Sequence, residues 1–377
     1  MLIKNARIVT RDEVMTGVVM IRDGVFEEVQ RGTTAVAEAV DWHGDYLVPG
    51  LVELHTDNLE KHAAPGEGAA WQAEAAVVAH DAQMAAAGIT TVLNGIAIGS
   101  QPTVAARSRE LPLNCAEALR RLGQHKLLRV EHLLHLRCEL AASDVVEMFD
   151  MLSTHPLLRL CSVMDHTPGQ RQWHDLGRWR RVGEHGARLS DSNFESMVVE
   201  LSTLQERYAE RNRREIVSRC RDRALPLASH DDSSAEQIAQ AKSEGIALAE
   251  FPVTREAAVA ARASGMAIVM GAPNLVRGLS HAGNVSALDL SRDGLVDVFS
   301  SDYVPSSLLT AAFELSRRAM WTLPKAITAM SEMPARQVGL DDRGAIAARL
   351  RADFCRVMTV DHLPVVRQTF VKGMRVA

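Results

Sequence analysis

The chain has 377 residues, of which 47% are hydrophobic and 24% charged, and its formal net charge at pH 7 is −5. This length suits a decorated α/β barrel, and the composition excludes a disordered chain. The negative charge argues against a nucleic-acid-coating surface, so nucleic acid is not an expected partner. The cysteines are widely spaced without a Cys-x-x-Cys pair, and no apolar run has the length of a signal peptide or membrane span. We therefore expect a cytoplasmic protein with reduced thiols and no membrane partner.

Both ends of the chain alternate in short strand-like runs. Near the N-terminus, Asp23-Gly24 separates two such runs and is a hairpin signal. Near the C-terminus, runs 353–358 and 369–376 flank another turn. We predict that residues 1–48 and 345–377 together form a small β-sandwich domain and that residues 49–344 form the main body.

Between these ends, apolar strand-like runs alternate with helix-like stretches, which is the pattern of βα units. Eight strand-like runs lie at 48–55, 89–95, 128–137, 157–165, 225–230, 246–251, 266–271 and 295–301. Helical patterns lie at 72–87, 114–122, 143–153, 194–223, 235–244, 255–264 and 324–332. Eight such units predict an α/β protein of the (β/α)8 TIM-barrel class.

Polar or charged residues stand where nearly every predicted strand ends. They are His55 and Asp57; Asn94; His135, Arg137 and Glu139; Asp165 and His166; His230 and Asp231; Glu250; Asn274 and Arg277; and Asp302. In a barrel these positions converge on one face, which is the face that carries active sites. Their clustering predicts a catalytic mouth.

The first strand supplies the leading metal-ligand candidates. It ends in His55-Thr-Asp57, a spacing that points both side chains to the same side of a strand. His230 closes the fifth predicted strand. Imidazole and carboxylate groups bind divalent metals that activate water, so we predict one or two ions, zinc in the first place and manganese as the alternative.

A second ion requires a bridging acid. No lysine that could be carbamylated lies near a later strand end, so the bridge must be a carboxylate. Glu139 is the preferred bridge and Asp165 the alternative, with His166 as a further ligand. Glu139 could instead pair with Arg137 across the strand. Asp302, which closes the last strand, is placed to act as the general base toward the water.

The chain resembles the amidohydrolase superfamily in its N-terminal β domain, its Pro-Gly before a first-strand His-x-Asp, and its last-strand Asp. Its motifs resemble more narrowly the PhnM family of phosphonate metabolism, over nearly the whole chain. The motifs are His55-Thr-Asp-Asn-Leu-Glu-Lys-His62, Ala87-Gly-Ile-Thr-Thr-Val92, His132-Leu-Leu-His-Leu-Arg-Cys-Glu139, Met164-Asp-His-Thr-Pro-Gly-Gln-Arg171, Ser229-His-Asp-Asp232 and Ser300-Ser-Asp-Tyr-Val-Pro305. The chain departs from the usual superfamily pattern at Asp57, where a second His is usual, and on the sixth strand, which offers Glu250 instead of His.

The resemblance implies a metal-dependent hydrolase of the carbon–phosphorus lyase pathway. Its small-molecule substrate would be α-D-ribose 1-methylphosphonate 5-triphosphate, cleaved to the 5-phosphate and diphosphate. A triphosphate requires several cations around the mouth. Loop 271–284 could also wrap phosphates with its backbone N–H groups. The expected substrate-binding residues are Lys61, His62, Arg137, Arg171 and Arg277.

Other functions fit the same residues. An amidohydrolase that opens a cyclic amide or deaminates a heterocycle needs the same activated water but no cationic cradle. A metal-free, non-enzymatic scaffold of this fold would need neither the activated water nor the cationic cradle. A homo-oligomer is compatible with all three functions. The arginine-rich stretch 206–223 could suggest RNA, but its i,i+4 pairs of Glu215 with Arg219 and Glu210 with Arg214 predict a solvated helix.

Overall fold

The computed structural model describes residues 1–66, 71–100, 109–182, 190–278, 280 and 283–377, which fold into a barrel and a separate sheet. The strands are β1 (Leu2–Val9), β2 (Val14–Arg22), β3 (Val25–Arg31), β4 (Val40–Asp41), β5 (Tyr46–Pro49), β6 (Leu51–Thr56), β7 (Ile89–Ile98), β8 (Glu131–Glu139), β9 (Leu158–Met164), β10 (Leu227–His230), β11 (Leu248–Glu250), β12 (Ala267–Gly271), β13 (Val298–Ser300), β14 (Phe354–Val360), β15 (Leu363–Val371) and β16 (Met374–Arg375).

The helices mostly follow the barrel strands. They are α1 (Asn58–Ala63), α2 (Ala73–Ala86), α3 (Glu110–Gln124), α4 (Val145–Leu152), α5 (Leu176–Val182), α6 (Asp191–Asp222), α7 (Ala235–Ser243), α8 (Arg255–Ala263), α9 (Ala272–Arg277), α10 (Ala287–Arg292), α11 (Ser307–Arg318), α12 (Leu323–Thr328) and α13 (Glu332–Gln337), with one 3₁₀ turn at Arg171–Trp173. The pattern predicted at 324–332 is split, because α12 ends at Thr328 and α13 begins at Glu332. Within the described ranges, no helix is long and apolar enough to cross a membrane.

Strands β6 to β13 form a parallel barrel in chain order, which confirms the predicted fold class. The first and last strands meet through a parallel bridge between Thr56 and Asp302, and the Asp302 N–H donates to the His55 carbonyl at 3.1 Å. Gly50 opens the first strand, where a Cβ would collide with the side chain of Thr90. The Pro-Gly step before β6 therefore has a steric reason.

An aliphatic layer fills the lower part of the barrel. It takes one residue from each strand: Leu54, Leu93, Leu133, Leu160, Ala228, Leu248, Val269 and Val298. Strand residues two positions apart share a face, so the next inward positions toward the strand ends carry His135, His230 and Glu250. Polar groups therefore stand directly above an apolar floor and open toward the mouth, the C-terminal end of the barrel.

The two chain termini build the second sheet, whose order is β16-β15-β14-β5-β1-β2-β3, with β4 beside β1. In a flat sheet the four steps from β14 to β3 would span ~19 Å at about 4.8 Å per strand. The rings of Phe354 and Phe26 are nevertheless 5.8 Å apart, and Phe354 stacks on Phe370 at 4.5 Å. The sheet therefore curls over its own core as the predicted sandwich, while the domain bounds at residues 48 and 345 stay a prediction.

Candidate metal centre and active site

Glu250, at the end of β11, binds two histidines that close other strands. Its Oε1 accepts from His55 Nδ1 and its Oε2 from His230 Nδ1, each at 2.8 Å. All three side chains are buried, and the two rings stack with centroids 5.5 Å apart. Because each Nδ1–H donates to the carboxylate, each Nε2 keeps its lone pair for another ligand. Burial acts to raise the pKa of Glu250, but the charges of His55 and His135 outweigh it and hold the pKa well below its usual value.

A second group of potential ligands lies around Asp231. The Asp231 Oδ2 atom is 3.5 Å from His230 Nε2 and 3.8 Å from His166 Nε2. This oxygen is buried and has no hydrogen-bond partner in the described part of the chain. Asp231 also adopts a left-handed φ of 56°, which is strained for a residue other than glycine. A buried, unsatisfied carboxylate oxygen between two imidazole nitrogens fits a bound cation.

Glu139 orients His166 in the way that Glu250 orients His230. Glu139 Oε2 accepts from His166 Nδ1 at 2.8 Å, and its Oε1 accepts from the His166 backbone N–H at 3.1 Å. Carboxylates that hold the Nδ1–H of a metal-binding histidine fix its tautomer and raise its basicity. The alternative pair of Glu139 with Arg137 is not among the ion pairs of the described residues.

Asp165 and Asp57, two other predicted ligands, make contacts of their own. Asp165 Oδ1 accepts from Thr167 N at 3.0 Å and its Oδ2 from Gln205 Nε2 at 3.1 Å. Asp57 Oδ1 accepts from Lys61 Nζ at 3.0 Å. Neither carboxylate belongs to the two potential ligand groups found among the described residues, and their metal roles stay predictions.

Asp302 lies at the seam between the first and last strands. Its φ of 53° is left-handed, and its carbonyl accepts from Thr56 Oγ1 at 2.7 Å. Glu53 joins the same seam, because it accepts from the backbone N–H groups of His55 and Ser301, both at 2.7 Å. Burial, reinforced by the negative charge of Asp57, raises the pKa of Asp302 to about 7. A carboxyl group with this pKa can take up and release a proton near neutral pH.

Two of the predicted cations flank Tyr303 at the rim of the mouth. Lys61 Nζ lies 5.1 Å from the ring centroid, and Arg277 Nη1 donates to the hydroxyl at 3.3 Å. Loop 271–284 is partly helical, because α9 begins at Ala272, has Pro273 in its first turn and is capped by Gly278. Residues 279, 281 and 282 lie outside the described residues. His62 Nε2 contacts Gln83 Oε1 at 2.9 Å, so its ring lies against α2.

Arg171 and Arg137 are buried, each 8% exposed, but their surroundings differ. Arg171 Nη1 donates to the His230 carbonyl at 2.7 Å and to Asp232 Oδ1 at 2.6 Å. It therefore supports the segment that carries His230. The Nε–H of Arg137, in contrast, has no hydrogen-bond partner among the described residues.

Asp231 and Glu250 had no ligand role predicted from the sequence. The contacts of Tyr303 with Lys61 and Arg277 were not predicted either. The run His230-Asp-Asp232 held a signal for Asp231, since it places a carboxylate directly after a candidate ligand. The contact of Tyr303 with both cations joins three segments that are distant in the sequence, including α1 and α9, and had no local signal.

Two solved structures of known proteins resemble the fold of this chain. N-acetyl-D-glucosamine-6-phosphate deacetylase from Mycobacterium smegmatis matches with a TM-score of 0.63 and 16% identity, covering 100% of both chains. 5-Methylcytosine deaminase from Klebsiella pneumoniae matches with a TM-score of 0.63 and 14% identity, covering 100% of this chain and 98% of that chain. Both matches support the fold, a barrel with a second sheet, whose mouth in this chain carries imidazole and carboxylate groups.

Sequence similarity then identifies the family. The alpha-D-ribose 1-methylphosphonate 5-triphosphate diphosphatase of Escherichia coli (strain K12) is 39% identical over 380 residues, covering 100% of both chains. The chain therefore belongs to the PhnM family, the family of this diphosphatase. No family model matches the chain.

The residues at the mouth of the barrel fit a metal. Among the described residues, two buried or nearly buried groups could hold an ion, one of His55, His230 and Glu250 and one of His166, His230 and Asp231. The unsatisfied Asp231 oxygen favours the second group as a ligand set. In the first group, the Nδ1 contacts make Glu250 an orienting carboxylate.

Proposed function

We propose that the protein hydrolyses α-D-ribose 1-methylphosphonate 5-triphosphate to the 5-phosphate and diphosphate, as a step of phosphonate catabolism. The observation that carries this proposal is the full-length identity of 39% with the Escherichia coli diphosphatase. The potential ligand groups at the mouth and the cations around them support it, because a polyanion requires both.

The proposed metal ligands are His166, His230 and Asp231 for one ion, with His55 and Asp57 available to a second. Zinc is the expected ion and manganese the alternative, since imidazole and carboxylate ligands suit both. When bound, such an ion acts as a Lewis acid on a phosphoryl oxygen and makes water easier to deprotonate.

Asp302 is the proposed general base. In its ionised form it accepts a proton from the attacking water, whose oxygen forms a bond to the α or β phosphorus. The bond between that phosphorus and the oxygen that bridges the α and β phosphorus atoms breaks, and its electron pair stays on the bridging oxygen. Diphosphate is then the leaving group for attack at the α phosphorus, and the 5-phosphate is the leaving group for attack at the β phosphorus. The pKa of about 7 leaves a substantial ionised fraction of Asp302 at neutral pH.

The rim cations Lys61, Arg277 and His62 are the proposed contacts of the outer phosphates. Lys61 in α1 and Arg277 in α9 both contact Tyr303, so the phenol holds both near the entrance. Arg171 acts through His230 and Asp232, because its Nη1 is already bound to both. An uncharged cyclic amide would make no use of these cations, which makes the amidohydrolase alternative the weaker reading.

Turnover of the ribosyl triphosphate with detection of diphosphate tests the activity. We expect diphosphate from the metal-loaded protein and none after chelation, with activity restored by zinc or manganese. Metal analysis should find one or two ions per chain and a loss of metal in His55→Ala. A matched surface variant, Glu206→Ala on the exposed side of α6, should keep both metal and activity. Hydrolysis of a cyclic amide with no release of diphosphate from the triphosphate would overturn the proposal. Light scattering on the same samples determines whether the protein is a monomer or a homo-oligomer.

A further inference from the structure

Arg137 carries a positive charge for which the described residues supply no ion-pair partner. It is 8% exposed, its Nε–H lacks a hydrogen-bond partner, and no ion pair joins its guanidinium to a carboxylate in the part of the chain that the structure describes. By comparison, the equally buried Arg171 binds Asp232 at 2.6 Å. A buried guanidinium without an acceptor is unfavourable, unless a ligand supplies the acceptor.

The barrel makes room for this side chain on the neighbouring strand. The positions of β7 that pair with this part of β8 are Gly95 and Ala97, both small. A Cβ at Gly95 would come within 3.2 Å of Arg137 Cδ and within 3.1 Å of the Thr56 carbonyl oxygen. The side chain therefore lies across β7 toward the first strand, along a path that a larger residue would narrow.

The charge of Arg137 acts on the centre of the site. Burial opposes the charged form, but the carboxylates of Glu60 and Asp57 outweigh it and raise the pKa of Arg137, with smaller effects of Glu250 and Asp302. Glu60 is held elsewhere, since its Oε1 accepts from the Ala97 N–H at 2.6 Å. Asp57 is held by Lys61. The charges of these carboxylates thus favour the charged form of Arg137, while no hydrogen bond from Arg137 to a carboxylate is present among the described residues.

Depth separates Arg137 from the other predicted cations. Lys61 is 50% exposed and paired, and Arg277 is exposed at the rim, so both suit the outer phosphates. Arg137 is buried, and its charge lowers the pKa of Asp302, the proposed base, against the effects of burial and of Asp57. A planar guanidinium matches two oxygens of one phosphoryl group, and in a buried site this interaction is stronger than at the surface.

We propose that Arg137 donates to the non-bridging oxygens of the phosphoryl group at which the anhydride is cleaved. This inference rests on the proposed function and assigns one residue to the reacting phosphorus. As water attacks that phosphorus and the bridging bond breaks, charge on the non-bridging oxygens is redistributed, and preorganised donors stabilise it. Arg137 therefore affects kcat, whereas the rim cations act mainly on KM.

Steady-state kinetics of metal-loaded Arg137→Lys and Arg137→Gln test the proposal. Orthovanadate serves as an inhibitor that mimics the phosphoryl group in the transition state. We expect kcat to fall by roughly 10²–10³-fold in both, as for the loss of one oxyanion donor. The lysine variant keeps the charge but loses the planar guanidinium that donates to two oxygens at once, so it should not restore kcat. Inhibition by vanadate should weaken at least tenfold. Arg277→Gln is the matched control, for which we expect a higher KM and a kcat within about threefold of the parent.

Metal content and thermal unfolding, measured on each variant, separate this role from a structural one. A kcat within threefold of the parent with unchanged vanadate inhibition would overturn the proposal. So would a loss of activity that excess metal fully restores, because Arg137 would then only balance the charges of Asp57 and Asp302. If the parent releases no diphosphate, the proposed function fails; vanadate binding followed by ⁵¹V NMR then decides the assignment, which stands if binding requires Arg137 and falls if it does not.

Discussion

Replacement of Glu250 by Gln should weaken metal binding without changing the size of the side chain. Each oxygen of Glu250 accepts one Nδ1–H at 2.8 Å, from His55 and from His230. An amide offers one oxygen and one NH2 group. The histidine that faces the NH2 group must turn its Nδ1 lone pair toward it and carry its proton on Nε2, and an Nε2–H cannot bind a metal.

The magnitude follows from the number of bonds affected. Glu250→Gln loses one charge-assisted hydrogen bond, worth about 1.5–3 kcal/mol, and 1.4 kcal/mol corresponds to a factor of ten in an equilibrium constant. We therefore expect zinc affinity to fall by roughly 10–100-fold, the range for carboxylates that orient metal-binding histidines.

Competition with a chromophoric chelator measures the affinity, and circular dichroism checks the fold. Glu206→Gln, on the exposed side of α6, is the matched control and should bind zinc like the parent. Unchanged affinity in Glu250→Gln would refute the tautomer argument. A complete loss of zinc together with a native spectrum would instead indicate that Glu250 is itself a ligand.

Three further changes test other parts of the structure. Asp302→Asn should lower kcat by about 10²–10⁴-fold with metal content unchanged, and a loss below tenfold would contradict its role as base. Arg171→Ala should lower the free energy of unfolding by about 3–5 kcal/mol, measured in urea, because Asp232 stays buried without its partner; a raised KM with unchanged stability would indicate a direct phosphate contact instead. Burial, with the charges of His132 and His62, lowers the pKa of His80 to about 3, so His80 stabilises the protein above pH 6.5 and loses this contribution as the pH falls toward 3. Between pH 7 and pH 5 the parent should therefore lose about 2 kcal/mol more stability than His80→Gln, and equal losses would contradict the neutral state of this ring.

The barrel could be predicted from the sequence because its strands are marked locally. Each strand is an apolar run, and Pro49-Gly50 and the polar strand ends give its limits. Helix α6 was equally visible, and its predicted pair of Glu215 and Arg219 is present. The break between α12 and α13 was missed, because the residues on both sides of it favour a helix.

The location of the site could be predicted from the sequence, but its individual contacts could not. The residues at the strand ends do lie at the mouth, but which of their atoms meet depends on the depth and direction of side chains from different strands. Asp57 turned to Lys61 while Asp231 faced two histidines, and neither outcome follows from spacing along one strand. Arg137 and Arg171 were both predicted from the sequence as substrate-binding cations, and only their hydrogen-bond partners in the structure distinguish them.

The seam that closes the barrel joins residues that are far apart in the chain. Thr56 bridges Asp302, and Glu53 binds the backbone of Ser301, across 246 and 248 positions. Contacts of such long range form late, because closing the long intervening chain costs conformational entropy before the contacts can offset it. The proposed base reaches His55 only when this contact exists, so a nascent or truncated chain carries potential metal ligands without a complete catalytic centre. Completion of folding and onset of hydrolysis are then a single event, and activity reports that the whole barrel is closed.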